Sequence, residues 1–112
     1  MKFYYFLFGA IAFEVLGTML LPATKNFTKV LPSVILTFSY IISFYFLSLT
    51  VGKLFLGLVY STWAGLGVLT VTLLSYFIYR QHINWQSVIG LLLIVIGVVI
   101  VNIYKVETDL IN

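Results

Sequence analysis

Residues 3–21 read FYYFLFGAIAFEVLGTMLL, an apolar run interrupted by a single carboxylate, Glu14. A bilayer-spanning helix takes about 20 mostly apolar residues, so this stretch has the length of one span. Working outward, residues 31–51, 54–79 and 83–104 contain no Asp, Glu, Lys or Arg. Strands of a membrane barrel alternate apolar and polar positions over about 10 residues, which runs such as residues 88–101 do not do, so helices are expected. The sequence predicts an all-α membrane protein with four transmembrane helices, at about residues 3–21, 31–51, 54–79 and 83–104, forming a single domain over residues 1–112.

Composition agrees. The chain has 112 residues, 62% hydrophobic and only 8% charged, with a mean hydropathy of +1.17. That leaves too little polar surface for a soluble domain beside the spans. Lys2 ahead of an apolar run resembles the start of a secretory signal, but the run is too long for a signal core. It also holds a carboxylate, and Pro22 follows it without a small-residue cleavage pattern, so the first helix is expected to persist. There is no cysteine and one histidine, His82, so neither a disulfide nor a metal cluster is expected, and no cofactor is indicated. The net charge of +3 comes from basic residues standing singly in loops, which suits lipid headgroups and does not point to nucleic acid.

Short loops at residues 22–30, 52–53 and 80–82 require neighbouring helices to run antiparallel. Pro22 closes the first helix, Pro32 suits a first helical turn and Asn84 suits a cap before Trp85. Tyr4, Tyr5, Tyr79, Trp85 and Tyr104 fall near span ends, where amphipathic rings favour the headgroup zone. Four spans place Lys2, Lys53 and Lys105 on one side and Lys25, Lys29 and Arg80 on the other, three against three. The positive-inside rule therefore has no net bias to act on. Two outcomes stay open: insertion in both orientations, which permits an antiparallel homodimer, or one orientation set by a single residue such as Lys2.

A carboxylate near mid-bilayer costs about 2.5–3.5 kcal/mol on insertion scales, so one that stays there faces a cavity or a partner. On Glu14's helical face lie Leu7, Ala10, Ile11, Gly17 and Thr18. Small residues beside the acid let another helix approach or leave volume for a ligand. Desolvation disfavours a bare carboxylate, and no basic residue lies in any span to neutralise it, so proton and cationic substrate are expected to compete for it. The plainer alternative is a protonated Glu14 acting only as interhelical glue.

Tyr40 and Ser43 in the second helix, and Tyr60, Trp63 and Gly67 on one face of the third, can complete such a site. Desolvated ring faces attract organic cations by about 2 kcal/mol without demanding exact hydrogen-bond geometry. The alternative for these rings is lipid contact or simple packing. Gly65 and Gly67 are candidates for a bend that switches access, with close packing as the competing explanation. In the fourth helix Gly90, Ile94 and Gly97 form one stripe with no polar midsection, which suits an association surface, lipid exposure being the alternative.

Together these residues resemble the small multidrug resistance family of four-helix proton-coupled exporters, over nearly the whole chain. The likeness rests on Ala10, Glu14, Gly17 and Thr18, on Asn26-Phe27-Thr28, on Pro32-Ser33, and on Ser43-Phe44. It continues through Gly57, Tyr60, Trp63, Gly65, Gly67, Gly90, Gly97 and Asn102. The resemblance implies an antiparallel dual-topology homodimer in a bacterial inner membrane. In it, helices one to three of both copies enclose a chamber and helix four holds the dimer together. Tyr4 and Phe44 join the chamber residues named above, and the two copies of Glu14 bind either protons or one cation, with titrations that need not be alike.

Gly17 stands where the guanidinium-exporting branch carries tryptophan, which favours the quaternary-ammonium branch. Pro22, Phe55-Leu56 and Ala64 depart from the usual family residues, and a polyamine or guanidinium exporter of the same family, working in one form with a related partner chain, stays an alternative. A reading of another class is a membrane accessory subunit that does not transport. One carboxylate without a nearby histidine or nucleophile makes no acid–base pair, so no enzyme is expected.

Overall fold

A computed structural model of the chain describes residues 2–51 and 54–104, without the Lys2 side chain. The loop at residues 52–53, the tail from Lys105 and the side chain of Lys2, three positions in the charge count, lie outside the described residues. Four helices follow in order: α1 (Lys2–Leu20), α2 (Val30–Ser48), α3 (Leu56–Ile78) and α4 (Trp85–Ile103), with a 3-10 turn at Pro22–Thr24. All four are long and apolar enough to cross a membrane.

Local chemistry sets the helix ends. α2 stops at Ser48, short of the expected residue 51. The Ser48 hydroxyl donates to the Tyr45 carbonyl at 2.6 Å, and fully buried Thr50 donates to Leu47 at 2.7 Å. Such side-chain bonds offer the backbone an alternative to the helical ladder. α3 starts at Leu56, after Phe55 in an extended conformation, two residues later than the charge pattern suggests. α4 starts at Trp85 because Asn84 caps it, its side chain accepting from the Ser87 N–H at 2.9 Å.

The turn between α1 and α2 has the most unusual backbone among the described residues. Lys25, Asn26 and Phe27 are all left-handed, with φ of 47°, 62° and 65°. For residues with a Cβ this conformation costs roughly 1–2 kcal/mol each, with Asn the best tolerated. Buried Thr24 holds the turn closed. Its carbonyl accepts from the Thr28 and Lys29 N–H groups at 2.9 and 3.0 Å, and its hydroxyl donates to Leu21 at 2.8 Å.

α1 lies between α2 and α3, and α4 packs on α3. The ring of Phe46 in α2 sits over Gly9 of α1, where an added Cβ would be 3.4 Å away, and stacks with Phe6 and Phe13 at 6.2 and 5.9 Å. A knob seated in this way supplies van der Waals contact, the main attraction left between helices once lipid replaces water. On the α3 side, Leu7, Ile11 and Val15 pack with Leu54, Leu58 and Val59 as a buried core. Two clusters thus fix α1 between its neighbours and set the depth and rotation of Glu14.

Candidate functional site

Glu14 projects from α1 into the space where α2 and α3 meet it. Its Oε1 accepts from the Thr18 hydroxyl, one helical turn further on, at 2.9 Å. Thr18 is in turn 2.5 Å from the Tyr40 hydroxyl of α2. A hydroxyl has one proton to give. With Thr18's proton on Glu14, Tyr40 is the donor to Thr18, and the order runs from Tyr40 to Thr18 to Glu14. The other oxygen, Oε2, is buried and has no hydrogen-bond partner among the described residues.

Two glycines make this arrangement fit. A Cβ on Gly67 of α3 would lie 2.6 Å from Glu14 Oε2, so the carboxyl rests where only glycine leaves room. A Cβ on Gly17 of α1 would lie 2.8 Å from the Tyr40 ring, which lies across that glycine and brings its hydroxyl to Thr18. The small face seen in the sequence is therefore filled on one side by an aromatic ring, while Gly67 supplies the matching recess on α3. Helix α3 runs as one α-helix through both glycine positions. Gly65 faces the other way, where a Cβ would be 2.7 Å from Val98 and 3.1 Å from Ile94 of α4.

One turn before Glu14, the fully buried Ser43 of α2 donates to the Ala10 carbonyl at 2.6 Å. Trp63 of α3 donates its indole N–H to Ser43 at 3.3 Å. The Trp63 ring lies 5.8 Å from Phe44 and 6.0 Å from Tyr60. Phe44 and Tyr60 are 58% and 65% exposed, so this cluster opens away from the chain's own core.

The residues expected around a chamber thus fall into three groups. Leu7, Ala10, Ile11 and Ser43 are buried in the packing of this chain; Glu14, Thr18, Tyr40 and Trp63 are half-buried; Phe44 and Tyr60 are open. Tyr4, also half-buried, donates to Asn102 at 2.9 Å, and Asn102 donates to the buried Thr62 at 2.9 Å. This link of α1, α4 and α3 escaped the residue-by-residue reading. Its sequence signal is weak, because Thr62 is one of several hydroxyl residues in α3 and Asn102 falls in the last turn of α4.

On α4, neither Gly90 nor Gly97 has an atom of another described element within 4 Å of where a Cβ would stand. Gly97, Ile94 and Val98 border an open apolar groove of about 410 Å³ against Gly65, Ala64 and Val68 of α3. On the first-loop side, Lys25, Lys29 and Arg80 are exposed.

Comparison with known proteins assigns a family to this arrangement. The family model described as "Small Multidrug Resistance protein" matches residues 1–94. The quaternary ammonium compound-resistance protein QacG of Staphylococcus sp. (strain ST94) is 44% identical over 101 residues, which is 90% of this chain and 94% of that protein. The quaternary ammonium compound-resistance protein QacC of Staphylococcus aureus is 41% identical over the same shares of the two chains. The multidrug transporter EmrE of Escherichia coli (strain K12) is 36% identical over 94% of this chain and 96% of its own. The chain belongs to the small multidrug resistance family and is an integral, multi-pass membrane protein.

Proposed function

We propose that this small multidrug resistance protein is a proton-coupled antiporter that exports lipophilic organic cations, such as quaternary ammonium compounds, across the bacterial cytoplasmic membrane. Glu14 is the site at which proton and cation compete. The observation that carries this reading is the state of its carboxyl group: held by Thr18 on one oxygen, seated on Gly67, and buried without a hydrogen-bond partner on the other. A lone carboxylate in a span has one charge to neutralise, and either a proton or one positive charge of a substrate does so. A proton arriving from one side displaces the cation, and a cation arriving from the other side displaces the proton.

The aromatic cluster suits the cargo. Phe44, Trp63 and Tyr60 offer ring faces to a charge buried among methyl or ethyl groups, which cannot be recognised through N–H donors. The names of QacG and QacC point to the same chemistry.

The unit of transport is an antiparallel homodimer of the single domain formed by residues 1–112. Three features support it: the even split of basic residues between the two sides, the open Phe44–Trp63–Tyr60 face, and an α4 with only 6% of its span buried within the chain. A second copy closes the chamber over the aromatic rings and packs on the Gly90, Ile94 and Gly97 stripe. The glycines of α3 serve the switch between the two faces, Gly65 through its contact with α4 and Gly67 through Glu14.

Purified protein in liposomes tests the reading. An inward proton gradient is expected to drive exchange of tetrapropylammonium, and Glu14→Gln is expected to abolish it while leaving the dimer intact. Exchange by Glu14→Gln at the wild-type rate, or a requirement for a second, different chain, contradicts the proposal.

A further inference from the structure

Basic residues divide evenly between the two sides of the membrane, but acids do not. The first-loop side carries Lys25, Lys29 and Arg80 with no Asp or Glu, whereas Glu107 and Asp109 follow α4 on the opposite side. Among the described residues Glu14, inside α1, is the only acid, so Arg80 and His82 have no carboxylate partner there. Arg80 is exposed and takes a left-handed backbone, φ 55°, one residue beyond Tyr79, the cap of α3. Glycine is the usual residue at that position, having no Cβ to clash. Arg80, Tyr76 and His82 border an open hollow of about 300 Å³. A second hollow, of about 510 Å³, shares His82 and runs from Gln81 and Ser87 at the hairpin to Gly90 and Ile94 on α4. The hairpin thus opens onto the stripe that suits an association surface.

We infer that the hairpin at residues 80–82 is the docking site for the C-terminal tail of a second copy: Glu107 and Asp109 of the partner subunit pair with Arg80 and His82, once at each end of an antiparallel dimer. The inference rests on the antiparallel homodimer reading. The chain's own tail cannot make the contact. α4 has 19 residues and is about 28 Å long, while the three residues from Tyr104 to Glu107 extend over roughly 10 Å at most. The partner's tail starts at the right end. Close approach through small residues sets Gly90 against the partner's Gly97, and two-fold symmetry sets Gly97 against the partner's Gly90. Equal steps outward from that contact bring the partner's Ile103 beside Asn84 and leave the partner's Glu107 level with Arg80. A guanidinium fork fits a carboxylate through two parallel N–H bonds, and His82 adds a ring N–H donor. Parallel copies would leave every tail on the side away from the hairpins. The contact therefore selects the antiparallel arrangement, which the evenly divided basic residues do not.

The chain has no cysteine, so single-cysteine variants of the full-length protein test the proximity. Gln81→Cys and Thr108→Cys flank the charged residues without removing them. Coexpressed in membranes and oxidised, the two variants are expected to give a covalent dimer holding one chain of each. Neither variant alone is expected to cross-link, because two copies of one position lie on opposite sides. Charge reversal reads the ion pair itself, in detergent without added lipid. Arg80→Glu is expected to raise the dimer Kd about fivefold at low salt, the scale of two exposed ion pairs. That loss is expected to fade at about 1 M salt, where such pairs are screened. Adding Glu107→Arg and Asp109→Arg to Arg80→Glu is expected to restore the wild-type Kd.

A dimeric preparation that gives no mixed cross-link overturns the inference. So does an Arg80→Glu loss that the reversed tail leaves unrescued, the result expected if Arg80 holds a lipid phosphate instead. Failure of the homodimer reading looks different: sedimentation would find only monomers, or Gln81→Cys alone would cross-link, as parallel copies require.

Discussion

Helices α1 and α4 are each 19 residues long and differ in nearly every other respect. α1 is wedged between two neighbours, carries the only acid within a span, and has 28% of its span buried. α4 touches chiefly α3 and has 6% of its span buried. Its two glycines face open space, whereas Gly9 and Gly17 of α1 are each covered by an aromatic ring from α2. The contrast shows how a chain this small divides its work. The helix that carries a carboxylate within its span is locked by packing on both sides, which fixes the place of the carboxyl group. The helix whose polar contacts are confined to its ends, Asn84 before it and Asn102 in its last turn, leaves most of its span exposed.

Two glycines on α3 give the strongest way to break this comparison, since Gly67 faces α1 and Gly65 faces α4. A methyl group forced into a packed site costs about 1–3 kcal/mol. At Gly67 that cost falls on Glu14 Oε2, so Gly67→Ala is expected to weaken cation binding roughly ten- to hundredfold, each tenfold step being about 1.4 kcal/mol. Gly65→Ala presses on Val98 instead. It is expected to lower thermal stability in detergent while the folded fraction binds with near wild-type affinity. Calorimetric titration of both variants checks the pair, and equal losses of affinity would dissolve the distinction between the two faces.

Next in size is the polar link between the two regions. Asn102→Leu removes both the acceptor for Tyr4 and the donor to buried Thr62. Interhelical hydrogen bonds in membranes are worth about 0.6–2 kcal/mol each. The variant is expected to lose that order of stability in a denaturation titration, with a smaller effect on cation affinity than Gly67→Ala.

These sites also mark how far the sequence could be read. Spacing between charges located four helices long enough to span, and the lone acid with its small neighbours made α1 the helix of the candidate site. Helical periodicity put Tyr60, Trp63 and Gly67 on one face because it depends only on the helix itself, and in the structure Tyr60 and Trp63 are ring neighbours while Gly67 meets Glu14. It could not say which helix that face would meet. The bond between Thr18 and Tyr40 depends on the register of α2 against α1, which is set by Phe46 over Gly9 and by the turn before α2. That turn was illegible for a specific reason: Lys25 and Phe27 disfavour the left-handed conformation they adopt, and Thr24 imposes it through tertiary burial.

Smaller effects sharpen the comparison from the α4 side. Gly97→Leu builds outward from a position where a Cβ has no atom of a described neighbouring element within 4 Å. Its expected effect is on association alone, visible as a shift from dimer to monomer in sedimentation with little change in helix content. A loss of helix content instead would mean that α4 depends on the groove within one chain.

The smallest expected change is in the first turn. Asn26→Gly relieves a left-handed residue at φ 62° and is expected to stabilise the protein by no more than about 1 kcal/mol, the scale of glycine's advantage in that conformation. Thermal denaturation reads it, and a loss of stability would show that the Asn26 side chain is needed there.

The central claim is that proton and cation exclude each other at Glu14. Proton release on adding tetrapropylammonium to weakly buffered, detergent-solubilised protein measures this most directly. The account predicts release that saturates with cation, diminishes as the starting pH is raised and the carboxyl is already ionised, and vanishes in Glu14→Gln. Binding of the cation with no proton released at any pH, or equal release from Glu14→Gln, would contradict it.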